Sequence, residues 1–267
     1  MTTMQKTNIE WCDVTWNPVT GCRRGCEYCY ARGIARRFGG WTCDGVKTME
    51  NLIKKDPPVL ERPLMIRRNS GKVENAPFPF GFEPTLHLYR LDEPYQRKGQ
   101  TIFVCSMADL FGPWVPTSWI AEVFKACLLS PQHRYLFLTK YPERYLELDA
   151  AGTLPHQENF WYGSTAANPE TDQMFYSDRF NTFVSMEPLL GPFGHPAIGA
   201  LDFIDWFIIG AETGNRKGKV VPEKAWVKEI VDYCDAADKP VFMKDSLIPI
   251  VDEALWRRSF PWEESAR

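Results

Sequence analysis

The chain has 267 residues, 44% of them hydrophobic and 24% charged, with a formal net charge of −3. That balance excludes a disordered or collagen-like chain and supplies enough apolar surface for one barrel-sized domain spanning 1–267. The small negative charge gives no global attraction to nucleic acid, although Arg23-Arg24, Arg36-Arg37 and Arg67-Arg68 can make local basic patches.

In chain order, Trp11 to Val19 mixes aromatics with Asn17-Pro18 and runs into Gly21, the pattern of a short strand entering a loop. Ala31 to Phe38 places Ile34, Ala35 and Phe38 on one side and arginines on the other, a helix stopped by Gly39-Gly40. Residues 41–83 carry Asp56-Pro57-Pro58, Asn69-Ser70-Gly71 and PFPFGFEP without sustained periodicity and read as an insertion or lid. Apolar runs then predict strands at Leu86–Tyr89, Ile102–Cys105, Tyr135–Leu138, Phe160–Gly163, Phe183–Met186, Trp206–Ile209 and Val241–Met243. Helical spacing falls between them at Ser118–Leu129, Pro142–Leu148, Thr171–Phe180 and Pro222–Cys234, with Pro222 placed as a helix start. Repeated β-then-α order predicts an α/β fold, a complete or partial parallel β/α barrel with the insertion after its first βα unit.

In such barrels chemistry collects just beyond the C-terminal ends of the strands. The polar residues there are Ser106 and Asp109, Thr139 and Lys140, Ser164 and Thr165, Glu187, Glu212 and Thr213, and Lys244 with Asp245. They are expected to face one cavity. No run is apolar for long enough to cross a bilayer, and MTTMQKTNIE lacks a basic-then-apolar export pattern, so a cytoplasmic protein without a membrane partner is expected.

Without export, eight cysteines point to metal ligation or free thiols rather than disulfides. Cys12, Cys43, Cys105, Cys127 and Cys234 are scattered and read as core residues. Cys22, Cys26 and Cys29 instead share one loop at the spacing C-x3-C-x2-C. A closed structural zinc site takes four ligands, whereas an iron–sulfur cube held by three cysteines leaves one iron open.

This loop, with the aromatic Tyr28 before its third cysteine, resembles that of the radical S-adenosylmethionine (radical SAM) superfamily. Trp11 to Asn17, the continuation C-Y-A-R, and the stretches SMADLFGPWVP, FLTKYPER, VSMEPLLGP and IIGAETG resemble a phage-associated radical-SAM-like family of unknown function. A more distant resemblance is to spore photoproduct lyase, a DNA-repair member of the superfamily. The resemblance implies a [4Fe–4S] cluster on Cys22, Cys26 and Cys29, and S-adenosyl-L-methionine on its open iron. It implies cleavage to a 5′-deoxyadenosyl radical that takes a hydrogen atom from substrate, as a lyase, isomerase or other radical enzyme. Ser106, Lys140 and Ser164 are the implied cofactor-binding residues, with Lys140 pairing the cofactor carboxylate; Tyr28, the matching aromatic, and Glu187, after its apolar strand, join them as cofactor-binding candidates. A reductant such as flavodoxin or ferredoxin is the implied electron donor.

Several residues keep two readings. Lys140 is a carboxylate clamp or a solvated strand-end lysine. Glu187 and Glu212 orient cofactor or substrate, or are structural partners of Lys244 or an arginine. Asp109 is a substrate ligand or a cap. Cys105 is a hydrogen-atom donor or packing, and Glu212 and Lys244 join it as catalytic candidates. His87, His133, His156 and His195 show no metal spacing. The candidate substrate is DNA or a modified nucleobase, in repair or rearrangement of a base. The alternatives are a small molecule or peptide, or a non-catalytic iron–sulfur or zinc-binding interaction protein.

Overall fold

The computed structural model describes residues 4–39, 56–67, 70–169, 172–192, 194 and 201–264. By contact the chain forms two compact units, Met1–Tyr135 and Leu136–Arg267.

In the first unit, β1 (Gln5–Lys6) pairs antiparallel with β2 (Val14–Trp16). β3 (Val19–Thr20) follows, and the cysteine loop leads into helix α1 (Tyr30–Phe38). This is the strand, loop and helix order expected from the sequence. Within 41–83 the described residues form β4 (Val59–Leu60) and the hairpin β5–β6 (Met65–Arg67 and Val73–Asn75). Cys43 and Arg68, and most of the proposed lid's first half, lie outside the described residues.

The predicted strand at Leu86–Tyr89 is β7 (Thr85–His87), but it does not join the long sheet. It pairs antiparallel with β3 and parallel with β4 in a separate three-stranded sheet, and Leu88–Arg90 turns into a 3-10 helix. Its apolar run reflects burial on a second small sheet, which periodicity cannot distinguish from a barrel strand. β8 (Thr101–Val104) pairs parallel with β2. Helix α2 (Thr117–Leu128) then buries Trp119, Ile120, Val123, Phe124 and Cys127, a 3.6-residue stripe.

The second unit is a run of parallel strands. β9 (Arg134–Thr139) carries the chain into it, followed by α3 (Glu143–Ala150), β10 (Phe160–Thr165), β11 (Asn181–Met186), β12 (Trp206–Ile209), α4 (Lys224–Ala236), β13 (Val241–Met243) and α5 (Pro261–Glu264). Every residue of β10, β12 and β13 is buried, as parallel strands covered on both faces require. Val184, Met186, Phe207 and Ile209 share a core with Val227, Ile230, Val231 and Cys234 of α4. Each fully buried apolar side chain of this size stabilises the fold by about 1.5–3 kcal/mol.

The strand order is β1-β2-β8-β9-β10-β11-β12-β13, and the fold class is a partial parallel β/α barrel. The helix expected at Thr171–Phe180 is not formed over its described residues, 172–180. Its apolar spacing has another cause: the rings of Phe175 and Phe180 pack on Tyr162, and the Phe175 amide donates to Ser164 Oγ at 2.7 Å. α4 begins at Lys224 with Glu223 as its cap, just after Pro222.

Candidate metal centre and strand-end polar groups

The cysteine loop is held by backbone contacts before any metal is considered. Gly21 N donates to Met107 O at 2.8 Å, Gly21 bridges Ala108, and Cys22 N donates to Phe82 O at 3.0 Å. Gly21 has φ 91°, and a Cβ there would lie 2.2 Å from the Glu83 carbonyl oxygen, so only glycine lets the loop start against residues 83–84. Cys29 is the N-cap of α1, and its Sγ accepts from Arg32 N at 3.4 Å. Arg32 continues the clamp by donating from Nη2 to Cys22 O at 3.0 Å, with its guanidinium 5.0 Å from the centre of the Phe82 ring.

All three thiols are free and half-buried. Burial pushes the Cys22 thiol up to about 11, and the negative charge of Asp109, Cys26 and Cys29 adds to the effect. Asp109, Cys26 and Cys29 thus each lie within electrostatic reach of Cys22. Among the described residues no three His, Cys, Asp or Glu side chains converge where a single ion would sit. Convergence on one point is not what a cube asks for, because each thiolate ligates a different iron. Three thiols on one loop, one of them receiving an N–H at a helix N-terminus, fit a cluster with one open iron; such hydrogen bonds to sulfur also tune its potential.

Beside the loop lies the turn that follows β8. Cys105 is buried and adopts φ 60°, an uncommon conformation for a residue other than glycine. Burial pushes its thiol to about 12. Ser106 is nearly buried; its Oγ donates to Asn17 Oδ1 at 3.2 Å and its carbonyl accepts from Tyr30 Oη at 2.7 Å. Asp109 Oδ1 accepts from Phe111 N at 3.3 Å in a local turn and does not cap a helix, since α2 starts at Thr117 with Pro116 as its N-cap; Asp109 also stands within electrostatic reach of Cys22. Tyr28 is half-buried. Arg23 is exposed and ion-paired to Asp56 at 2.8 Å and Glu83 at 3.0 Å, so its charge is already partnered. Arg36 and Arg37 are exposed on the last turn of α1, where cations complement the helix dipole.

In the second unit the strand-end residues are paired differently. Lys140 is half-buried after Thr139, whose Oγ1 accepts from Tyr141 N at 3.0 Å. Ser164 is fully buried and its Oγ is the acceptor for Phe175 N. Glu187, after β11, forms an ion pair with Lys244, after β13. Gly210 lies between them, and a Cβ there would meet Lys244 Cδ at 3.1 Å and Glu187 Cγ at 3.2 Å. Glu212 is buried and takes a bidentate pair from Arg216, Nε at 2.6 Å and Nη2 at 2.7 Å. That guanidinium holds the Glu212 carboxyl below the usual range. The structure therefore gives both glutamates the cationic partners that the sequence offered as one option.

Two residues escaped the sequence reading. Arg216 is visible in principle as a cation four residues after Glu212. Asn17, in the Asn-Pro pair before the cysteine loop, looked like a turn former and nothing more.

Fold and loop together define a partial β/α-barrel protein carrying three clustered cysteines on the loop before its first helix. The chain belongs to the family described as "Protein of unknown function (DUF5131)", whose model matches residues 6–247. A comparison with curated proteins gives no match. Among solved structures it is similar to "Spore photoproduct lyase complexed with dinucleoside spore photoproduct", at 11% sequence identity and a TM-score of 0.47, covering 90% of this chain and 78% of that one.

Proposed function

We propose that this protein is a radical SAM enzyme whose [4Fe–4S] cluster is held by Cys22, Cys26 and Cys29. The observation that carries the reading is the loop itself: three free thiols at C-x3-C-x2-C, fixed between β3 and α1 by Gly21 and by the cap at Cys29. When bound, the cluster would supply the electron that cleaves S-adenosylmethionine to a 5′-deoxyadenosyl radical. The chain's own residues do the rest. Gly21 and Arg32 hold the loop, and burial, with Asp109 adding to it, raises the Cys22 thiol above its ordinary value. Ser106 and Tyr28 are the cofactor contacts we assign to the first unit, and Lys140, Ser164 and Glu187 those of the second. Cys105, Glu212 and Lys244 are the catalytic residues we assign, and DNA or a nucleobase is the substrate class to test first.

The test is anaerobic reconstitution with iron and sulfide, reduction with dithionite in the presence of S-adenosylmethionine, and quantification of 5′-deoxyadenosine with and without DNA. Product that disappears in Cys26→Ala supports the reading, and stimulation by DNA supports the substrate class. A fully assembled cluster that yields no 5′-deoxyadenosine under any of these conditions overturns it in favour of a non-catalytic metal-binding protein.

A further inference from the structure

Asn17 stands half-buried between β2 and β3, and one atom of its side chain is committed. Its Oδ1 accepts from Met107 N at 2.9 Å and from Ser106 Oγ at 3.2 Å. A backbone N–H can only donate, so the first of these bonds fixes the orientation of the carboxamide: oxygen toward the turn, nitrogen away from it. The backbone around Asn17 is pinned as well. Arg90 Nη1 donates to Asn17 O at 2.9 Å, Trp16 Nε1 donates to Arg90 O at 2.8 Å, and Cys105 N donates to Trp16 O at 2.7 Å. The same Met107 whose amide Asn17 holds gives its carbonyl to Gly21, the residue before Cys22.

The nitrogen is in the opposite situation. Among the described residues Nδ2 has no hydrogen-bond partner, and it is not one of the sealed, unsatisfied atoms of the interior, so it remains open to what lies outside the protein. A rigid carboxamide with its oxygen locked and its nitrogen presented, tied through two hydrogen bonds to the start of the cysteine loop, is a preorganised donor. From this geometry we infer that Asn17 is a ligand-binding residue. Its Nδ2 donates to an oxygen acceptor, a carboxylate or hydroxyl, of the small molecule held against the cysteine loop, beside the hydroxyl of Ser106. The inference rests on the radical SAM reading for the identity of that molecule. The Oδ1 role is separate: it braces the turn on which the loop sits.

Asn17→Asp keeps an acceptor for Met107 and Ser106 and removes the donor; Asn17→Leu removes both without adding charge. Reconstituted wild type and both variants are compared by iron and sulfide content, by the EPR spectrum of the reduced cluster before and after addition of S-adenosylmethionine, and by equilibrium dialysis of the cofactor. The expected result for Asn17→Asp is a wild-type cluster yield and an unchanged spectrum without cofactor, with affinity about tenfold weaker or worse, the loss expected of a hydrogen bond to a charged or polar acceptor. Asn17→Leu should lose affinity equally and also assemble less cluster. Wild-type affinity in Asn17→Asp overturns the proposal. So does a loss in Asp that Leu does not share, because charge repulsion then explains it. Should Leu fail to assemble, a loss in Asp that high salt restores has the same meaning. Wild-type protein that builds no cluster overturns the functional reading and this inference together, whereas intact cofactor binding with an indifferent Asn17 overturns this inference alone.

Discussion

The cysteine loop and the strand ends of the second unit carry the chain's two sets of reactive groups, and they are built on opposite plans. In the second unit two strand-end acids have charged partners inside the fold: Glu187 has Lys244 and Glu212 has Arg216. At the cysteine loop the Cys22 thiol stands within electrostatic reach of Cys26, Cys29 and the nearby Asp109, Arg23 is turned to Asp56 and Glu83, and the scaffold is held by backbone hydrogen bonds, by Arg32 and by a glycine. The lesson is that the ion pairs of the second unit contribute to the stability of the fold, whereas the loop, under the reading proposed above, would be completed by a metal cluster. Damage to the first should unfold the protein, and damage to the second should leave it folded and empty.

The largest effect expected under that contrast is at Arg216. Arg216→Leu leaves the Glu212 carboxylate buried without its cation and should cost about 3 kcal/mol in urea denaturation. The double variant with Glu212→Gln should recover most of this. A loss under about 1 kcal/mol for Arg216→Leu would mean that the pair is solvated and that the contrast fails.

Gly21→Ala comes next, because the added methyl meets the Glu83 carbonyl and the positive φ is strained. A destabilisation of about 2 kcal/mol is expected, together with a lower iron content after reconstitution. By contrast, Cys26→Ala should abolish cluster assembly while shifting the unfolding midpoint of the metal-free protein by no more than about 0.5 kcal/mol. If Cys26→Ala unfolds the metal-free chain, the loop is structural and not a vacant receptor.

A further effect concerns pH. His87 is fully buried, with Nε2 2.8 Å from Thr20 Oγ1 and Nδ1 3.1 Å from Tyr89 Oη. Burial, reinforced by Arg90, holds it well below its ordinary value of 6.5. Between that lowered value and 6.5 the unfolded chain binds a proton that the folded chain does not, so this contribution is intact above 6.5 and is lost as the pH falls below it. The slope is at most about 1.4 kcal/mol per pH unit. Urea midpoints at pH 7.5 and 5.5 should therefore separate more in the wild type than in His87→Gln, and equal separations would show that His87 is protonated within the fold.

The sequence by itself determined the fold class, because β10, β12 and β13 are buried along their whole length and such strands read as continuous apolar runs. It also determined where the three cysteines sit, since C-x3-C-x2-C is a local fact of one loop. It misread 171–180 as a helix and assigned 86–89 to the barrel, since burial of Phe175 and Phe180 on Tyr162, and of β7 on β3 and β4, produces apolar residues without declaring their partners. Tertiary structure alone decided which groups pair. Asn17 meets Ser106 across 89 positions and Lys244 meets Glu187 across 57. No periodicity reports such separations, because the contacts exist only once the strands lie side by side.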